Sequence, residues 1–265
     1  TSKNNARLAA AKFNSAQVYN FFFCDIGMPG GGGSLSLGTG TFTLNSNGDH
    51  LNGTTNDAHF FVYREQGGDG EFVARVDSLV NNWTPGRADT AAGLVLRESL
   101  AANARVASLS LRNDGKVQFQ TRTSVNGVLT TVANPVAAIP SWLKLVRAGN
   151  SFSAWVSTNG IGYTQIGATQ TVSMAGAVKA GLFCDSSVYW DDATAQFSNV
   201  NFLETNATAS AWTGADIGAP GKAGSQTLGT PITVNASGAD IGGTTDQLRL
   251  VYKPLTGDGT VIAQC

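Results

Sequence analysis

The chain has 265 residues, a formal net charge of −1 and only 13% charged residues, about half the share usual in soluble domains. That balance offers no basic field to gather phosphate backbones, which argues against a nucleic-acid partner. No apolar run is long enough to cross a bilayer as a helix, while 42% hydrophobic residues suffice for a packed core rather than wholesale disorder.

Residues 1–20 differ in character from the rest of the chain. Thr1-Ser2-Lys3-Asn4-Asn5 opens polar with no secretory signal, so any leader is expected to have been removed. Ala6-Arg7-Leu8-Ala9-Ala10-Ala11-Lys12-Phe13 has good helix propensity. It predicts a short helix, or an arm that orders only on a neighbour.

From residue 21 the signals are those of strands. Alternation with period two runs through 41–44, 72–76, 94–97, 106–111, 117–120, 142–147, 152–156, 180–183 and 196–202. Turn residues suited to positive φ separate them, among them Asn113-Asp114-Gly115, Asn126-Gly127, Gly149-Asn150 and Asn159-Gly160. Many short strands without a long amphipathic helix predict an all-β, antiparallel two-sheet sandwich over residues 21–205. The abundance of Gly, Thr, Ser and Asn suits an extracellular or cell-surface protein.

The most informative feature is an internal repeat. Cys24-Asp25-Ile26-Gly27-Met28-Pro29-Gly30 returns as Ala215-Asp216-Ile217-Gly218-Ala219-Pro220-Gly221. Leu37-Gly38-Thr39 returns as Leu228-Gly229-Thr230, Gly53-Thr54-Thr55 as Gly243-Thr244-Thr245, and Gly68-Asp69-Gly70 as Gly257-Asp258-Gly259. A nearly constant offset means a duplicated structural unit. Residues 206–265 thus read as a linker and a truncated second β module, stopping at Cys265 opposite Val76. Such a piece buries too little surface to be stable alone and would expose unpaired strand edges.

Three cysteines, Cys24, Cys184 and Cys265, allow one disulfide with a thiol left for another chain, or three unrelated buried thiols. Asp25, Asp57 and Asp69 recur in Gly-rich turns, where they could ligate structural Ca²⁺ or bond to the turn backbone. Trp83, Tyr189 and Trp190 fall in loops, where exposed rings could stack on sugars, whereas Trp142, Trp155 and Trp212 fall in strands and read as core.

The stretch from Phe21 to Phe202 resembles a concanavalin A-like (laminin-G-type) jelly-roll module of secreted bacterial proteins. The residues carrying the match are Phe61-Val62-Tyr63 with Gly68-Asp69-Gly70, Gly93-Leu94-Val95-Leu96-Arg97-Glu98-Ser99, Trp142-Leu143-Lys144-Leu145-Val146-Arg147, and Tyr163-Thr164-Gln165-Ile166-Gly167. The resemblance implies the two-sheet sandwich and no particular activity. Glucanases similar in fold carry Glu and Asp at alternate positions of one strand. No Glu-x-Asp-x-x-Glu occurs here, so a hydrolase is not expected. Gly30-Gly31-Gly32-Gly33 lacks the Lys-Ser/Thr of a phosphate-binding loop.

The leading expectation is therefore a non-catalytic structural or adhesive subunit. It would assemble with copies of itself into a filament or surface layer through residues 206–265, with Cys265 locking the joint. The alternative is a carbohydrate-binding module whose partner is a polysaccharide.

Overall fold

The structure, a computed structural model, describes residues 9–13, 15–19, 21–48, 55–174, 176–204, 212–227, 232–238, 241, 244–252 and 260–264. Among these residues there is no helix. The strands in chain order are β1 (Ala9–Phe13), β2 (Ser15–Tyr19), β3 (Phe22–Ile26), β4 (Ser34–Gly38), β5 (Thr41–Ser46), β6 (His59–Gln66) and β7 (Gly70–Asn81). Then come β8 (Ala91–Arg97), β9 (Val106–Arg112), β10 (Val117–Arg122), β11 (Thr130–Ala133), β12 (Ser141–Ala148), β13 (Ser151–Ser157) and β14 (Thr164–Thr171). The last are β15 (Val178–Asp185), β16 (Ala193–Glu204), β17 (Thr213–Ile217), β18 (Ser225–Thr227), β19 (Ile232–Ala236), β20 (Leu248–Tyr252) and β21 (Thr260–Gln264).

Two compact units result: Phe22–Ala207, and Thr1–Phe21 together with Thr208–Cys265. The first unit holds two seven-stranded antiparallel sheets. One, the front sheet, has the order β11-β10-β9-β8-β15-β6-β3; the other, the back sheet, has the order β14-β13-β12-β7-β16-β5-β4. This is an antiparallel two-sheet sandwich of the jelly-roll kind.

Alternation explains the back sheet. In β12, Leu143 and Leu145 are fully buried while Trp142, Lys144 and Val146 are only partly so, so one face is core and the other meets solvent. The front sheet is different, because every residue of β8 and β10 is buried. Leu94, Leu109, Phe119 and Leu182 lie on one face. On the other, Val95, Val106, Phe61, Phe183 and Ile26 form a second cluster with Leu129.

A buried ion cluster adjoins that second cluster. Asp57 receives hydrogen bonds from Arg97 Nη1 at 2.9 Å and from Arg122 Nη1 at 3.0 Å and Nη2 at 2.5 Å, with all three side chains wholly buried. The remaining guanidinium hydrogens donate to the carbonyls of Ser99, Ala101, Ala104 and Gly127. They tie the chain's irregular segments to the sheet. Asp57, expected as a weak calcium candidate, is thus engaged as the counter-ion of two arginines.

The other unit contains the sheets β1-β19-β18, β17-β20 and β2-β21. Of the helix expected over residues 6–13, the described part, residues 9–13, is instead a strand paired with β19, and residues 6–8 lie outside the described residues. A helix that short is marginal on its own, and propensity is a weak prior against ladder bonds to a waiting strand. The strand edges expected to lie bare in the C-terminal repeat are met here by the same chain's β1 and β2.

The repeated sequences adopt repeated geometry. Thr213↔Tyr252 and Ile217↔Leu248 pair β17 with β20 as Phe22↔Tyr63 and Ile26↔His59 pair β3 with β6. Asp216 Oδ1 accepts the Gly224 N–H at 3.1 Å, as Asp25 Oδ1 accepts that of Gly33 at 3.0 Å.

Candidate functional site: an aromatic rim on two crossing loops

At one end of the sandwich several connections cross between the sheets. Residues 82–90 lead from β7 to β8, and residues 186–192 lead from β15 back to β16. Both leave from the same end, because Asn81 pairs with Ala193 and Ala91 with Asp185. Residues 27–33, between β3 and β4, turn at that end as well, since Ile26 pairs with His59 and Cys184 with Phe60.

The two crossing loops are fastened by adjacent Asn and Asp pairs. Asn81 Nδ2 donates to Asp191 Oδ2 at 3.2 Å and to the Ser186 carbonyl at 3.3 Å. Asn82 Nδ2 donates to Asp192 Oδ2 at 2.7 Å, and its backbone N–H donates to the Asp192 carbonyl at 2.7 Å. Thr84 Oγ1 donates to Asp191 Oδ2 at 3.3 Å, and Ser187 Oγ to the Asp89 carbonyl at 2.6 Å. Asn81 Oδ1 accepts the backbone N–H groups of both Trp83 and Thr84. The two Asn81 Nδ2 bonds are buried and most of the others part-buried, with the Asn82–Asp192 side-chain bond exposed; together they make the loops a fixed scaffold rather than a floppy fringe.

On this scaffold sit the three loop aromatics. Trp83 is 74% exposed, Trp190 61% and Tyr189 46%. Tyr189 and Trp190 meet edge to face, with ring centroids 5.3 Å apart and planes at 82°, a favoured aromatic arrangement. Trp190 takes a φ of 70° and Ser187 one of 66°. Both are left-handed conformations that cost an ordinary residue about 1–2 kcal/mol, and strain of this kind collects at functional loops. Gly30 packs under the pair: a Cβ there would stand 3.0 Å from the Trp190 amide nitrogen and 3.2 Å from the Tyr189 ring.

The structure therefore brings Trp83, Tyr189 and Trp190 to one rim. What ties the two loops together is the pairing of the doublets Asn81-Asn82 and Asp191-Asp192, which carry no hint of this role in the sequence alone. Here the carboxylates hold loops. Glu98, another acid beside an arginine, is ion-paired with Arg105 at 2.7 Å.

Other expected site residues are dispersed. Asp25 fixes its turn through Gly33, and Asp69 accepts the Gly149 N–H; no cluster of metal-ligating side chains occurs among the described residues. Cys24 and Cys184 are free thiols. They flank β6, opposite Phe61 and Phe60 respectively, so they point to opposite faces and stand two strand spacings apart. That is about 9–10 Å, beyond the roughly 7 Å limit for a disulfide. Burial pushes both thiols up, and fully buried Cys184 has no surface to offer another chain. Cys265 lies outside the described residues.

Trp142 and Trp155, read from sequence as core, lie on the solvent side of the back sheet. Arg75 sits 4.8 Å over Trp142, and Lys144 5.3 Å over Trp155 and 4.7 Å over Tyr163. Basic side chains thus already cover these rings.

No protein-family model matches the chain, and no curated protein does. Solved structures do. A functionally unknown protein from Saccharomyces cerevisiae is 15% identical with a TM-score of 0.50, over 64% of this chain and 90% of that one. At that identity the likeness is one of fold alone. Weaker likenesses include the carbohydrate-binding module CBM66 from Bacillus subtilis (14% identical, TM-score 0.42, 68% of this chain and 94% of that one). A lectin from Bauhinia forficata in complex with GalNAc is 12% identical, with a TM-score of 0.41, over 74% and 98%. GH43 proteins and a xylan beta-1,4-xylosidase from Bacillus halodurans also occur among them, with the match covering 37–39% of their chains.

Proposed function

We infer that the Phe22–Ala207 sandwich is a non-catalytic carbohydrate-binding module of an extracellular or cell-surface protein, with a polysaccharide as its partner. The observation that carries this reading is the rim of Trp83, Tyr189 and Trp190, exposed together on a hydrogen-bonded scaffold. Exposed rings on a rigid support present apolar faces without the entropy cost of ordering them, and each Trp or Tyr keeps a polar handle for sugar hydroxyls. Singly exposed apolar residues need no explanation, whereas a grouped set does. The acids beside the rings are engaged in bonding the loops, which favours binding over general acid–base work. Titration with a panel of soluble polysaccharides tests the reading. Trp83→Ala and Trp190→Ala are each expected to weaken binding roughly tenfold or more while the unfolding midpoint stays in place. Binding untouched by both substitutions contradicts it.

A structural role in association with copies of the same chain is the second reading. Strand pairing between the N-terminal and C-terminal segments within one chain meets the edges of β19 and β21, so this role requires the same pairing to exchange between copies.

A further inference from the structure

The N-terminal strands copy β16. Ala9-Ala10-Ala11-Lys12-Phe13 matches Ala193-Thr194-Ala195-Gln196-Phe197, and Gln17-Val18-Tyr19 matches Asn201-Phe202-Leu203, at one offset without a gap. Three identities alone would be thin. The pairing supplies the rest.

In the sandwich β16 lies between β5 and β7. Thr194, Ala195 and Phe197 oppose Asn45, Leu44 and Phe42, while Asn201, Phe202 and Leu203 oppose Val73, Phe72 and Glu71. In the other unit Ala10, Ala11 and Phe13 oppose Asn235, Val234 and Ile232, while Gln17, Val18 and Tyr19 oppose Ile262, Val261 and Thr260. Asn235, Val234 and Ile232 are the repeat counterparts of Asn45, Leu44 and Phe42; Ile262, Val261 and Thr260 are those of Val73, Phe72 and Glu71. Register agrees at every one of these pairs, on two separate strands. A slip of one residue on either would have reversed the faces.

We propose that β1 and β2 are module-closing strands of the β16 kind, and that the strand edges of β19 and β21 form an acceptor site that also takes these strands from a second copy of the chain. The acceptor recognises a strand through backbone hydrogen bonds in a set register. Every copy carries the same closing strands, so pairing within a chain and between chains uses the same contacts. The balance between them follows effective concentration. Between copies the contact is head-to-tail, and it propagates as an open chain unless it closes on itself.

Two full-length variants test this. Ala10→Pro/Ala11→Pro disables the donor, because one of two adjacent N–H groups must face β19 and proline has none. Thr233→Pro/Val234→Pro disables the acceptor by the same logic. Each variant alone is expected to run as a monomer in size exclusion with light scattering, and an equimolar mixture to form a complex of twice the mass. Mixed chains that stay at the monomer mass overturn exchange between copies. A labelled peptide of residues 9–19 is expected to bind the donor-disabled chain and not the acceptor-disabled one. Equal binding to both, or binding to neither, overturns the acceptor site itself. The separate sandwich unit reports folding in both variants through its own cooperative unfolding. Polysaccharide binding at Trp83 and Trp190 is expected to survive in both, so the two proposals fail independently.

Discussion

At the scale of single residues, the front sheet's outer layer is governed by three buried charged groups and one buried histidine. Asp57 neutralises one of two wholly buried guanidiniums directly and shares itself with the other. Removing it strands both. Asp57→Ala is expected to cost about 3–5 kcal/mol, read from the urea midpoint at constant m value. Among the described residues, His59 has no hydrogen-bond partner at either ring nitrogen. Burial first, and then Arg97 and Arg122, hold its pKa well below 6.5. The unfolded chain takes up a proton there near pH 6.5 and the native chain does not, so stability falls as pH drops through that value. His59→Leu is expected to flatten this decline and to stabilise the fold below pH 6, measured by urea unfolding at several pH values. An unchanged slope means that another group is responsible.

At the scale of elements, close strand approach sets the tolerances. Gly181 in β15 has no room for a Cβ, which would meet the Val62 carbonyl and the Phe61 ring. Gly181→Ala is expected to force β15 from β6 and to lower stability by about 1–3 kcal/mol, again read from the urea midpoint. Strands with one buried face, such as β5 and β12, are legible in the sequence because their alternation is clean. The edge strands β11 and β14 are not, since Thr, Gln and Ala at exposed edge positions carry no period. β1 reads as helix in the sequence because alanines fit either state, and only its pairing with β19 decides. The rim is legible as loop aromatics. Its convergence is not, because it depends on contacts such as Asn81 with Asp191, 110 residues apart in sequence.

At the scale of the whole molecule, the chain combines a complete two-sheet sandwich with a second unit assembled from its N-terminal and C-terminal segments. On the proposed function, the sandwich's crossing loops present a sugar-binding surface and its other tryptophans do not. Each of the five tryptophans is expected to give its own indole N–H signal in a nitrogen–proton correlation spectrum. On adding a polysaccharide that the chain binds, the Trp83 and Trp190 indole signals are expected to shift with saturation, while those of Trp142 and Trp155 hold still under their Arg75 and Lys144 covers. Shifts confined to Trp142 and Trp155, or binding with Trp83 and Trp190 unmoved, would contradict the account.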